Sequence, residues 1–393
     1  MPNKNLIILY AFSFFKSLQF FGALAVPFYT QRIGFNYLQI FSLEAIFSIA
    51  LVLFEIPTGI MADKYGRKVS LFIGSLFMGL AFIGYGFTYS FLFLSIFQIT
   101  AAFGASLISG ADKALVYETA SSLYTDVKKI TSIAGTYNAL ETAAMFIAFP
   151  LGSMLTSLPF FTYTFALAVV FVLSGICFIL SAVIILFIAE KKRPELQEHP
   201  LLLGKKGLLF LFSTSSIRRI AINSALISSI TFLMFWLYQA ILQYLSFPVK
   251  AFGFIAALFN AGGMILLLFL LPIQKRLSNS SILFITSISS AILYLLCGFY
   301  PTVTTALLSI FGITIFRSFR LPIVATIIND KTDDSKRATV LSGLSMIERF
   351  ITTVFYLIVG FINDISIPLT FILLGFLTLC ISIFLPVREK HLS

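Results

Sequence analysis

The chain has 393 residues, of which 59% are hydrophobic and 11% charged, and its mean hydropathy is +1.00. Soluble domains carry about 25% charged residues, so this composition excludes the water-soluble globular class and points to a chain solvated by lipid. The formal charge of +11 raises a nucleic-acid reading, which the placement of those charges removes below.

A membrane-crossing helix needs about 20 mostly apolar residues. Twelve such spans are predicted in chain order, at 6–30, 37–62, 69–88, 90–120, 130–157, 162–189, 217–246, 250–271, 280–299, 302–329, 339–362 and 366–386. Short polar breaks separate them, among them Arg32-Ile33-Gly34, Tyr300-Pro301 and Asn363-Asp364. The longest polar interval is 190–216, opening with Glu190-Lys191-Lys192-Arg193-Pro194, and Leu201 to Phe212 within it reads as a short surface helix. The predicted organisation is residues 1–190 as an N-terminal six-helix bundle, 191–216 as a cytoplasmic linker and 217–393 as a C-terminal six-helix bundle. The fold class is all-α integral membrane. Ala23-Leu24-Ala25 matches a signal-cleavage pattern, but Lys16 interrupts the apolar run before it, and cleavage would leave an odd number of spans.

Orientation follows from where Lys and Arg fall. One set of connections holds Lys4, Lys64, Arg67, Lys68, Lys128, Lys129, Lys191, Lys192, Arg193, Lys275, Arg276, Lys331, Arg388 and others, while the opposite set holds Arg32 and Lys250. Both termini and the linker are therefore expected in the cytoplasm, with the chain in the cytoplasmic (inner) membrane. Topology accounts for the positive charge, so nucleic acid is dropped as a partner. The three cysteines lie in apolar runs, and His199 and His391 lie in polar segments. No metal spacing and no intramembrane histidine relay is visible.

The stretch Thr58-Gly59-Ile60-Met61-Ala62-Asp63-Lys64-Tyr65-Gly66-Arg67-Lys68 reads as a polar turn after the second span, with Gly59 and Gly66 permitting a tight backbone. Gly59, Asp63, Gly66, Arg67 and Lys68 fill the pattern G-x-x-x-D-x-x-G-R-[KR]. Here the chain resembles the major facilitator superfamily of secondary transporters, and Glu55-Ile56-Pro57-Thr58 leans toward its multidrug efflux branch. The resemblance implies two pseudo-symmetric six-helix bundles, alternating access, a small-molecule substrate and a monomer in the bilayer. The drug–proton antiporter pattern R-x-x-x-G-x-G is only partly met, because Gln98 takes the Arg place, Ala102 the first Gly and Gly104 the second. Of the antiporter pattern in the fifth span only Pro150 and a nearby Gly152 survive.

An internal repeat supports the two halves. Asp126-Val127-Lys128-Lys129-Ile130-Thr131 corresponds to Asp334-Ser335-Lys336-Arg337-Ala338-Thr339, a step of 334 − 126 = 208, and the same step takes Arg67-Lys68 to Lys275-Arg276. Parallel repeats of this kind are expected of the fold, for which this superfamily is a standing example.

Charges within spans cost at least about 2.5–3.5 kcal/mol at a helix centre unless paired or hydrated. Lys16 lies about 15 Å into the first span at 1.5 Å per residue, on one face with Ser13 and Gln19, and Glu141 lies at similar depth in the fifth. These are the leading cavity candidates. Glu44, Asp112, Lys113, Arg317 and Arg320 complete the substrate and coupling set. The 208 step maps Asp112 onto Arg320 and Glu141 onto Arg349, acid onto base each time, which suggests that opposite charges meet between the halves in one access state; the plainer reading is a static brace within each half. Asp63, Arg67, Glu118 and Arg349 form the expected conformational latch, with Asp63 able to approach the start of the eleventh span. No Walker sequence, zincin helix or nucleophile elbow is present, so no enzyme, no cofactor and no ATP site is expected; a proton or other ion gradient supplies the energy. The expected activity is proton-coupled efflux of a small amphipathic or anionic solute, with uptake, or flipping of a lipid-linked cargo, as alternatives.

Overall fold

A computed structural model of the chain describes residues 4–190, 211–212, 215–267, 269–332 and 337–389. Most of the expected linker at 191–216 with most of its surface helix, the repeat residues Asp334 to Lys336, and both histidines lie outside the described residues. Among the described residues every regular element is a helix, without strands. They fall into two compact units. One comprises Met1–Phe35, Ile46–Gln197 and Val249–Ala257, the other Asn36–Ala45, Glu198–Pro248 and Leu258–Ser393. The 208-residue step carries 36–45 onto 244–253, so the two short segments that depart from the sequence halves overlap in the repeat in part, at 249–253.

The first unit contains α1 (Lys4–Lys16), most of α2 (Tyr37–Tyr65), α3 (Arg67–Phe87), α4 (Phe91–Ile108), α5 (Ala111–Leu123), α6 (Val127–Leu155) and α7 (Tyr163–Ile185). The second contains α8 (Ser215–Phe232), α9 (Met234–Tyr244), most of α10 (Phe252–Leu267), α11 (Asn279–Phe299), α12 (Val303–Asp330), α13 (Arg337–Ile365) and α14 (Ile367–Phe384). Among the described residues ten spans are long and apolar enough to cross a membrane; Phe91–Leu123 is one of them, with α4 and α5 joined. Two of the twelve expected spans fall short of that length. The first is not a continuous helix: α1 ends at Lys16, turns follow to Leu24, and helix resumes at Ala25. The eighth yields the shorter apolar helix Val249–Gly263.

The polar signature is tighter than expected. Helix α2 runs on to Tyr65 and α3 starts at Arg67, so the turn is Gly66 alone, with φ at 96°. That value lies in a region L side chains rarely adopt. Gly59 sits inside α2 and has no turn role.

Close helix packing in the first unit uses small residues. A Cβ on Gly74 would meet Gly104 O at 2.7 Å, and one on Gly79 would meet Gly175 O at 2.8 Å, so α3 lies backbone to backbone against α4 and α7. Lipid offers little hydrophobic drive between helices, and close van der Waals approach takes its place. In the second unit Ile217, Ile220, Leu283, Ile323 and Leu344 join α8, α11, α12 and α13 in one apolar core. Large apolar side chains such as Phe87 and Phe160 stay exposed, as a lipid solvent permits.

Candidate functional site

Two helix breaks in the first unit build the site. The α1 break puts Lys16 at a helix C-terminus, where unpaired carbonyls favour a cation. The second break, at Ser109-Gly110 with Gly110 φ at 79°, puts Asp112 in the first turn of α5, where free N–H groups favour an anion. Lys16 Nζ meets Asp112 Oδ2 at 2.7 Å and Glu141 Oε1 of α6 at 2.6 Å. The Tyr137 hydroxyl donates to Asp112 Oδ2 at 3.2 Å, and the Lys113 N–H donates to Asp112 Oδ1 at 2.6 Å. Lys16 and Asp112 therefore each sit at the helix end that suits their sign, while Glu141 reaches Lys16 from the middle of α6.

Irregular backbone at membrane depth is tolerated where protein buries it or a wet cavity hydrates it. A cavity of about 460 Å³ lies here, and both breaks reach it: Ser17 and Gln19 from one, Ser109 and Gly110 from the other, with Lys16, Asp112, Lys113 and Glu141 on its wall. Met78, Ile108, Met145 and Phe178 supply its apolar side. Lys16, Gln19, Asp112, Lys113 and Glu141 were all named from sequence, and the fold brings them together. The route differs for Gln19, which reaches the cavity from the turn and not from a helical face shared with Ser13. Ser13 is buried and donates to Tyr137 O at 2.9 Å.

The other named residues lie elsewhere. Arg320 is buried in the second unit, where Nη1 donates to Leu283 O at 2.6 Å and Ser287 Oγ at 2.5 Å, and Nη2 donates to Asn223 Oδ1 at 3.2 Å. Arg317 stacks over Phe232 at 5.1 Å and, like Arg320, lies within electrostatic reach of Glu348. Asp112 and Arg320 thus each find hydrogen-bond partners inside their own unit, although Arg320 Nε is buried without one. Glu44 lies on α2 near Tyr356, and Arg349 follows Glu348 on α13.

In the latch region Arg67 Nη1 pairs with Glu118 Oε1 at 2.6 Å, and exposed Asp63 is within electrostatic reach of Arg67. Sequence reading missed Glu190, whose carboxylate binds the first amides of α3, and Tyr137. Tyr137 stands one turn before Glu141, a spacing that could have marked it. Among the described residues no group of His, Cys, Asp and Glu is arranged to hold a metal.

The Major Facilitator Superfamily model matches residues 6–313 and again 220–393. The chain is 25% identical to the uncharacterized MFS-type transporter YxaM of Bacillus subtilis (strain 168) over 292 residues, covering 72% of this chain and 70% of that protein. In fold it is similar to the crystal structure of the nucleoside transporter NupG, with a TM-score of 0.79, 13% identity and 98% of each chain covered. It is also similar to a POT family transporter in complex with 5-aminolevulinic acid, with a TM-score of 0.77, 14% identity, and 99% and 96% of the two chains covered. With the family model matching most of its length, and with the signature residues in place, the chain belongs to the Major Facilitator Superfamily, a family of multi-pass membrane transporters.

Proposed function

We propose that the chain is a proton-coupled secondary transporter of a small amphipathic or anionic solute, with Lys16, Asp112 and Glu141 as its coupling centre. The observation that carries this is one ammonium shared by two carboxylates on the wall of a cavity with apolar side chains beside it. A proton added to Glu141 from cavity water releases its bond to Lys16, which keeps Asp112. That step alters the contacts between α1 and α6, and a solute that binds one arrangement better draws the equilibrium toward it.

The signature's lean toward the efflux branch supports export from the cytoplasm; uptake is the alternative. The NupG and POT structures are named for nucleoside and peptide-type substrates, so the shared fold serves several solutes and the cavity's own chemistry must select among them. Purified protein in proteoliposomes with an imposed pH gradient tests the coupling. Wild type should move protons with solute, and Glu141→Gln should uncouple that flux. Proton-coupled flux unchanged in Glu141→Gln would refute the assignment.

A further inference from the structure

The sign of the coupling is written in the charges that line the cavity. Lys16 and Lys113 are positive, Asp112 and Glu141 negative. The two lysines differ in their engagement. Lys16 is held by both carboxylates. Lys113 is exposed on the same wall, and among the described residues its ammonium has no carboxylate partner; only its backbone N–H is bonded.

The two acids differ as well. Asp112 takes bonds from Lys16, Tyr137 and the Lys113 amide, and its side chain is 6% exposed. Glu141 takes one from Lys16 and is 22% exposed. Glu141 is the more exposed of the two carboxylates. The groups facing it are Lys16 from α1, Asp112 and Lys113 from α5, and Tyr137 from its own helix, while α3 and α7 offer Met78 and Phe178.

We infer that Lys113 is the recognition group for an amphipathic organic monoanion, and that this anion binds together with a proton on Glu141, which gives proton coupling the sign of symport and, under an inward proton gradient, favours the uptake alternative over export. The inference rests on the coupling role proposed for Glu141. Fully ionised, the four side chains sum to zero. A proton on Glu141 leaves the wall one positive charge in excess, and one bound monoanion restores neutrality. Uncompensated charge is costly at low dielectric, so proton and anion raise each other's affinity, and the effect is reciprocal. A cation would instead compete with the proton, the sign of antiport. The step breaks one Lys16–Glu141 hydrogen bond and adds one proton to the Glu141 carboxylate; no covalent bond in the solute changes. Met78, Ile108, Met145 and Phe178 give the anion's aryl or alkyl body its contact, and about 460 Å³ falls within the usual range for small-molecule sites.

The test uses the purified full chain in detergent and three probes: p-toluenesulfonate, p-toluenesulfonamide and benzyltrimethylammonium. The sulfonate stays ionised between pH 5.5 and 8 by its own chemistry, so any pH dependence of its binding belongs to the protein. Thermal stabilisation gives affinity, and a pH indicator in weak buffer gives proton uptake on binding. The sulfonate should bind more tightly at acid pH and take up protons, and the sulfonamide should bind weakly at either pH. Lys113→Gln should weaken sulfonate binding about tenfold or more, as expected for a charge-assisted hydrogen bond, and Lys113→Arg should restore most of it. Glu141→Gln should bind sulfonate independently of pH with no proton uptake. Preference for the cation, proton release on binding, absence of any sulfonate effect, or unchanged sulfonate affinity in Lys113→Gln would each overturn the inference. If Glu141→Gln still takes up protons normally, the coupling role fails as well; if it does not and only Lys113→Gln is silent, the recognition role alone fails.

Discussion

Glu190 Oε1 accepts the backbone N–H of Arg67 at 2.8 Å, and Oε2 accepts that of Lys68 at 2.9 Å. The last described residue before the linker interval thus caps the helix that begins the signature's Gly66-Arg67-Lys68. Lys68 Nζ donates to Ile188 O at 3.0 Å and holds the same junction. A carboxylate at a helix N-terminus satisfies orphan amides and the helix dipole together, worth about 0.5–2 kcal/mol. Glu190→Ala should lower unfolding stability by about 1–2 kcal/mol and Glu190→Gln by less, read by thermal denaturation in detergent. Gly66→Ala should act in the same direction, because its Cβ would meet Glu190 Oε2 at 2.8 Å with φ at +96°. Unchanged melting in both would show that the cap contributes nothing.

Removing one partner of a buried ion pair costs about 3–5 kcal/mol, while removing both can be neutral. Lys16→Met should therefore destabilise strongly, and Lys16→Met with Asp112→Asn and Glu141→Gln should recover most of the melting temperature. Proton-coupled flux should stay absent in both. Recovery of flux along with stability would show the cluster to be scaffold and not coupling centre.

Arg320 donates to four acceptors on two neighbouring helices, the longest bond being 3.4 Å to Thr286 Oγ1. A lysine offers a point charge where the guanidinium offers a planar fork. Arg320→Lys should cost about 2–3 kcal/mol through acceptors left unpaired, read as lower folded yield and melting temperature. The paired reversal Asp112→Arg with Arg320→Asp should not rescue either single variant, because each residue finds its partners inside its own unit. Rescue would support a cross-half charge exchange.

Gly152 seats the α1 break against α6. A Cβ there would stand 2.1 Å from Phe20 O, a backbone atom that cannot swing aside. Gly152→Ala should destabilise by about 1–3 kcal/mol, as overpacking does, and should slow transport by shifting the turn that carries Gln19 to the cavity. Wild-type melting and flux in this variant would mean that the turn is free to move.

The run of apolar spans, the positive connections, the 208-residue repeat and the signature residues could all be read along the chain, because lipid solvation and repeat symmetry act on local composition. Lys16, Asp112, Lys113 and Glu141 stood out for the same reason: a charge in an apolar run is costly wherever it points. What the sequence could not decide was the direction of each side chain. Gly110 with positive φ and the turns after Lys16 convert two expected continuous helices into facing helix ends, and Gln19 and Asp112 owe their places to those breaks. Glu190, Tyr137 and Asn223 act on residues 123, 25 and 97 positions away in the chain, a separation no local pattern records. Which charges brace a unit and which line a cavity is settled by packing, since only the assembled helices determine where water can enter.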